Sequence, residues 1–161
     1  MRTTQWLLLL TMLGSAGCGS HLTAERAAKV EDSVRAYART VAQDVTKDGP
    51  AAWRKHFAES PGFFMAVNGQ MALPTSAAAT TAIQNLAHSL KSVELQWGED
   101  LRVDPLTQDL AVMASSYHER RVSTSADTVD ENGFFTAVVE RRDGHWQIRN
   151  AHWSAPVPGA H

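Results

Sequence analysis

Near its C-terminus the chain reads FFTAVVERRDGHWQIRNAHWS, Phe134 to Ser154, two strand-forming runs joined by Asp143-Gly144. An Asp-Gly pair between such runs marks a two-residue hairpin, because a type I′ turn needs positive φ at both central residues. Gly adopts it freely and Asp tolerates it. A two-residue loop makes Arg142 face His145 and fixes the pairs beyond. One face then carries Arg141 with Trp146, Val139 with Ile148, Ala137 with Asn150 and Phe135 with His152. The other carries Glu140 with Gln147, Val138 with Arg149, Thr136 with Ala151 and Phe134 with Trp153. A three-residue loop with a Gly bulge is the alternative, and it would slip the pairing by one. Both faces hold apolar residues, so neither is simply solvated. One is expected to cover a core and the other to meet something else, such as a second subunit.

The first residues read as a targeting segment. Arg2 gives a positive start, Trp6 to Leu13 is apolar, and Gly14-Ser15-Ala16-Gly17 supplies small residues. This is the anatomy of an export signal over residues 1–17, too short to span a membrane as a mature helix. Cys18, the single cysteine, follows at once. Ser15-Ala16-Gly17-Cys18 resembles a bacterial lipobox, with Ser15 standing where leucine is usual, which makes Cys18 the lipidation candidate. An ordinary signal cleaved after Ala16 is the alternative, giving a secreted or periplasmic soluble protein with a free thiol. Acyl chains contribute ~0.8 kcal/mol per buried methylene, so two or more hold a protein stably at a membrane. Attachment is expected through the lipid alone. Gly19-Ser20, with no aspartate after the cysteine, leans towards the outer membrane or periplasmic face of the envelope.

Residues 18–22 then form the lipidated end and a linker, 23–154 one domain, and 155–161 a Pro- and Gly-containing tail expected to fray. The chain is 43% hydrophobic with a net charge of −2, within the globular range and without the basic footprint of a nucleic-acid binder. A lone cysteine excludes an intramolecular disulfide, so packing must supply the stability.

Thr23 is placed to cap a helix running to about Asp48, with Val30, Val34, Tyr37, Ala38, Val41 and Val45 along one stripe. Gly49-Pro50 leads into a short helical turn over 51–58, with Trp53 and Phe57 four apart. Phe63 to Val67, Asn68-Gly69 and Gln70 to Leu73 spell a second hairpin. A third helix is expected from Thr75 to about Leu90, burying Ile83, Leu86, Ala87 and Leu90. Val93 to Val103 alternates as one half-exposed strand, Asp104-Pro105 reads as a turn, and Leu110 to Val122 as a long strand. Ser123 to Asn132 is polar and loop-like. Three helices ahead of four strands predict an α+β domain with its helices on one face of a curved sheet.

That order, with Arg141-Arg142-Asp143-Gly144, Trp146, Ile148, and His152 with Ser154 at its end, resembles the nuclear transport factor 2-like superfamily over about residues 25–154. Phe57-Ala58 and the Phe63-to-Gly69 hairpin fit as well. SnoaL-like bacterial domains and the association domain of calcium/calmodulin-dependent kinase are similar. The resemblance implies a cone formed by a strongly bent antiparallel sheet and the long first helix, a pocket inside it, and a dimer through the outer sheet face. Ketosteroid-isomerase-like members use an aspartate base inside the cone, but the matching segment here, Pro61 to Val67, has no acid. Kinase association domains use arginines on two central strands, where this chain has Tyr117 and Ala137.

The resemblance places Trp146, Ile148, Asn150 and His152 on the cone interior, and Phe134, Val138 and Trp153 on the dimer face. His152 in an apolar cavity could act as a general base, or be a core histidine bonded to Asn150 or a carbonyl. Ser115 and Tyr117 share an inner face and could bond a ligand or each other. Tyr37 points inward along its helix stripe, either reaching the pocket or packing, and Trp97 is a pocket wall. His118, Glu119, Arg120 and Arg121 read as a solvated strand end, with no second histidine at metal-ligand spacing. Asp127, Asp130 and Glu131 read as solubilising loop residues without a calcium-loop pattern. No phosphate loop, dinucleotide glycine pattern or Gly-x-Ser-x-Gly elbow occurs, and no cofactor or metal is expected. The chain reads as a small-molecule or partner-binding module, with a His152-based isomerase, cyclase or hydrolase, or a filled dimerisation domain, as alternatives.

Overall fold

The computed structural model describes residues 22–156. The expected export signal, the lipidation candidate Cys18 and the last five residues of the tail lie outside the described residues.

Helix α1 (Ala24–Asp48) starts where Thr23 accepts a hydrogen bond from the Arg26 N–H and stops at Gly49, whose φ of 76° ends the helix. Its stripe of Val30, Val34, Tyr37, Ala38, Val41 and Val45 is buried against the sheet. Burying one such aliphatic side chain contributes ~1.5–3 kcal/mol, so this stripe is what holds the helix down. Polar contacts set its position. The indole N–H of Trp97 donates to the Ala38 carbonyl at 2.8 Å, and that of Trp146 to Ser33 Oγ at 2.8 Å. Pro50–Lys55 forms a short 3-10 helix, followed by the hairpin of β1 (Phe64–Val67) and β2 (Gln70–Leu73). Asn68 and Gly69 turn it with φ of 48° and 80°. Helix α2 (Ser76–Ser89) is capped by Thr75. It buries Ala79 and Ile83, whereas Leu86 and Ala87, expected inside, are exposed.

Five strands rather than four follow α2. The stretch expected as one strand from Val93 to Val103 is split into β3 (Leu90–Trp97) and β4 (Arg102–Thr107). The Asp100 carboxylate causes the break: it accepts from the Ser116 N–H at 3.0 Å and the Ser116 hydroxyl at 2.7 Å, holding the turn on β5 (Leu110–Ser123). Asp104-Pro105, expected as a turn, lies inside β4. Proline is tolerated there because β4 pairs only with β5 and is an edge strand. Ser123 to Asn132 is mostly sheet as well, since β6 (Thr128–Arg142) begins at Thr128. Its polar residues are held by cross-strand partners: Glu131 by Arg121 at 3.1 Å and Asp130 by His118 at 3.4 Å. With β7 (His145–Ser154) the sheet runs β2-β1-β7-β6-β5-β3, β4 sharing the β5 edge with β3. It is antiparallel except where β1 runs parallel to β7.

The closing hairpin turns as expected. Asp143 and Gly144 have φ of 51° and 80°, and Arg142 pairs with His145. The expected register holds out to Val139 opposite Ile148 and then slips by one. Arg149 is the extra residue of a β-bulge, and Val138 meets Asn150, Ala137 Ala151, Thr136 His152 and Phe135 Trp153. Because side chains alternate with a period of two, one extra residue exchanges the faces of everything beyond it. Ala151 and Trp153 are therefore buried, and His152 is exposed on the outer face.

Candidate functional site

The inner face of the sheet is set by register. Tyr117, Glu119 and Arg121 on β5 pair with Gly133, Glu131 and Val129 on β6, and with Trp97, Leu95 and Val93 on β3. Behind them Phe135 meets Trp153, which meets Val67 on β1. Of these residues, Glu119, Arg121, Phe135, Trp153 and Val67 join Trp53 and Phe57 after α1, Met65 and Leu73 of the β1–β2 hairpin, and Ile83 and Leu86 of α2 in walling an open cavity of about 230 Å³. Its lining is apolar and aromatic apart from two charged side chains, Glu119 and Arg121. Leu86, 40% exposed, is left uncovered because it stands at the edge of this cavity.

Glu119 is the residue that sequence reasoning misjudged. It was expected to be solvated, yet it is only 7% exposed. Strict alternation along β5 carries the signal: continuing inward from Met113, Ser115 and Tyr117 leads to Glu119 and Arg121. Burial pushes the Glu119 carboxyl above the usual carboxylate range, Arg121 opposes this and Glu131 adds to it. The Arg121 guanidinium bridges both acids, with Nε 3.1 Å from Glu119 Oε1 and Nη2 donating to Glu131 Oε2 at 3.1 Å. Tyr117 extends the chain, its hydroxyl donating to Glu131 Oε1 at 2.8 Å. Burial, reinforced by Glu131, raises the Tyr117 phenol, so it stays a donor at neutral pH. Its ring lies 4.2 Å, centroid to centroid, from Trp153 and covers Gly133, where a Cβ would sit 2.6 Å from the hydroxyl oxygen.

The other expected site residues divide. Trp97 faces inward as a wall between α1 and the rings of Phe135 and Trp153. Ser115 is fully buried on the same face, its hydroxyl 3.5 Å from Asp100. Asn150 and His152 lie on the outer side of the bulge and not in the cone, and the Asn150 amide donates to the Gly62 carbonyl at 2.8 Å. Of the dimer-face candidates, Phe134 is 46% exposed and Val138 half-buried on the outer face, while Trp153 has moved inside at 8%.

Tyr37 belongs to a different cleft, of about 580 Å³, between α1, the segment after the 3-10 helix and the β6–β7 turn. Its hydroxyl donates to the His56 carbonyl at 3.0 Å, and burial raises its phenol. The His56 ring is buried with Nε2 3.1 Å from Asp44 Oδ2. Burial pulls its pKa below that of a free imidazole, partly countered by Asp44. Sequence spacing carries no sign of this pair, because Asp44 and His56 sit on separate elements.

No protein-family model matches this sequence, and no curated protein matches it. Solved structures do match. A nuclear transport factor 2-like superfamily protein from Salmonella enterica Typhimurium LT2 superposes with a TM-score of 0.68 at 14% identity, covering 83% of this chain and 95% of that one. A protein described as a scytalone dehydratase from Novosphingobium aromaticivorans gives 0.67 at 12% identity, with 78% and 85% covered. A hexachlorocyclohexane dehydrochlorinase from Novosphingobium barchaimii LL02 gives 0.54 at 17% identity, with 81% and 97% covered. The chain thus has the nuclear transport factor 2-like fold, on which both enzymes and proteins without an assigned reaction are built.

Proposed function

We propose that the domain is a receptor for a small, largely apolar molecule held inside the cone, tethered to the bacterial envelope through a lipid on Cys18. The observation that carries this is the open cavity of about 230 Å³ walled by Trp53, Phe57, Phe135 and Trp153. A filled dimerisation domain has no use for it. The volume is below the ~300 Å³ at which drug-sized pockets begin, which points to a small occupant. Native mass spectrometry of protein purified from its own host tests the reading. A co-purifying small molecule lost from a Trp153→Ala variant supports it; an empty cone that also fails to take up any small apolar probe overturns it.

Catalysis is the second reading, and one observation favours it: Glu119 is a desolvated carboxyl in an apolar wall, the environment that tunes an acid towards neutral pH. Glu119 takes the place that His152 was expected to hold, with Tyr117 as the neighbouring donor. Turnover abolished by Glu119→Gln and untouched by His152→Ala would establish it.

The outer sheet face, with exposed Phe134 and half-buried Val138, is the surface we propose for a second copy. Sedimentation at micromolar concentration should give a dimer that Phe134→Lys dissociates; a monomer would remove the idea. For the anchor, an unmodified Cys18 in soluble mature protein from the native host would do the same.

A further inference from the structure

The charges on the cone wall do not balance. Glu119 on β5 and Glu131 on β6 stand directly opposite one another in the sheet, an arrangement that destabilises a strand pair unless something intervenes. The intervening group is a single guanidinium, Arg121, which contacts both at 3.1 Å. Its third neighbour, Tyr117, is a neutral donor that already serves Glu131. On β3 the facing residues are Val93, Leu95 and Trp97, all uncharged. Lys91 is exposed and makes no ion pair with either acid among the described residues, and Glu94, His118 and Arg120 belong to the opposite face. Two carboxylates therefore share one cation, and the buried one of the two forms part of the cavity lining.

From this we infer that the occupant of the cone is an amine: a small apolar body against the aromatic wall, with a protonated head against Glu119. The inference deepens the receptor reading and rests on it. An ammonium group supplies the charge the wall lacks and can donate to the Glu119 oxygens. The rings of Trp53, Phe57, Phe135 and Trp153 suit the same head, because aromatic faces attract cations. A carboxylate ligand would meet net negative charge, and the one guanidinium that could receive it is already engaged by two acids. An alcohol could use Glu119 as an acceptor but would leave the charge uncompensated.

Four probes sharing one benzyl group separate the possibilities: toluene, benzyl alcohol, benzylamine and phenylacetate, titrated calorimetrically into the purified protein near pH 7.5 at low salt. Benzylamine should bind at least tenfold more tightly than benzyl alcohol, and phenylacetate most weakly. Glu119→Gln should cut benzylamine affinity about tenfold while changing toluene and benzyl alcohol by less than threefold. Glu131→Gln, a more exposed site, should weaken benzylamine in the same direction and guards against a folding defect at Glu119. Equal binding of alcohol and amine, tighter binding of phenylacetate, or an amine affinity indifferent to both substitutions would overturn the amine assignment and leave the receptor standing. Binding of none of the four, toluene included, would overturn both.

Discussion

Replacing Trp153 with alanine, alongside its neighbour His152, tests the bulge on which the whole cone wall depends. Trp153 is 8% exposed, with ring centroids 4.2 Å from Tyr117, 5.2 Å from Phe135 and 5.9 Å from Trp53. A buried tryptophan removes ~200 Å² from water, which at ~25 cal/mol per Å² is about 5 kcal/mol. Two effects reduce that figure. The unfolded chain already buries part of this surface, and one side of the ring borders the cavity and has fewer neighbours to lose. About 3–4 kcal/mol is expected, within the usual range for removing a core aromatic. His152 is exposed on the outer face, and its loss should cost less than ~0.5 kcal/mol. Urea unfolding followed by far-ultraviolet circular dichroism is the assay, since one variant lacks a fluorophore. With a slope of ~2 kcal/mol per M, the midpoint of Trp153→Ala should fall by about 1.5–2 M and that of His152→Ala should hardly move. The opposite ranking would refute the reasoning. It would mean that the strand alternates without a bulge and that His152, not Trp153, faces the cone.

Glu119→Gln should change how stability depends on pH. A carboxyl raised by burial favours the fold where it is protonated, and that advantage is lost as pH climbs from the ordinary carboxylate range to the folded value. Thermal midpoints measured from about pH 4 to 8 should therefore fall less for the variant than for the parent, and parallel curves would count against a desolvated Glu119. Because burial lowers His56 and Asp44 partly restores it, an NMR titration should place His56 below a free imidazole and Asp44→Asn should push it lower; a rise would exclude the pair as drawn. Gly133→Ala would drive a Cβ into the Ser154 backbone carbonyl of β7 and place it 2.6 Å from the Tyr117 hydroxyl oxygen, so that the strand pair as well as the ring must shift, at a cost of about 1–3 kcal/mol. A calorimetric midpoint within ~2 °C of the parent would show that neither the Ser154 carbonyl nor the Tyr117 ring crowds this glycine.

What was legible in the sequence was local. Thr23 and Thr75 cap their helices, and Asn68-Gly69 and Asp143-Gly144 turn their hairpins, because each device acts through residues a few positions apart. The bulge involves two strands at once, yet it leaves a trace. Trp146 and Ile148 are two apart, Ala151 follows after three, and Trp153 after two more, so the apolar phase slips by one at Arg149. Strict alternation carried past that slip puts His152 and Asn150 inside and Trp153 outside. Glu119 was hidden for a different reason. A run of four polar residues looks solvated, and that appearance masks the alternation of β5, which carries Glu119 onto the buried face opposite Glu131. The break between β3 and β4 was hidden likewise, since it depends on Asp100 reaching Ser116 of another strand.

The extra residue at Arg149 also bears on how such a chain can change. Flattening the bulge with every residue kept, so that Arg149 faces Val138, would carry Asn150 and His152 into the cone and expel Ala151 and Trp153, whereas deleting Arg149 would leave all four where they are. An aromatic wall and a wall bearing an imidazole and an amide are thus separated by a one-residue slip in the register of β7, with no substitution at any of the four positions. A relative on this sheet whose β7 runs without the bulge should present the alternate residues of that strand to the cone, and the register of β7 is the place to look for the difference.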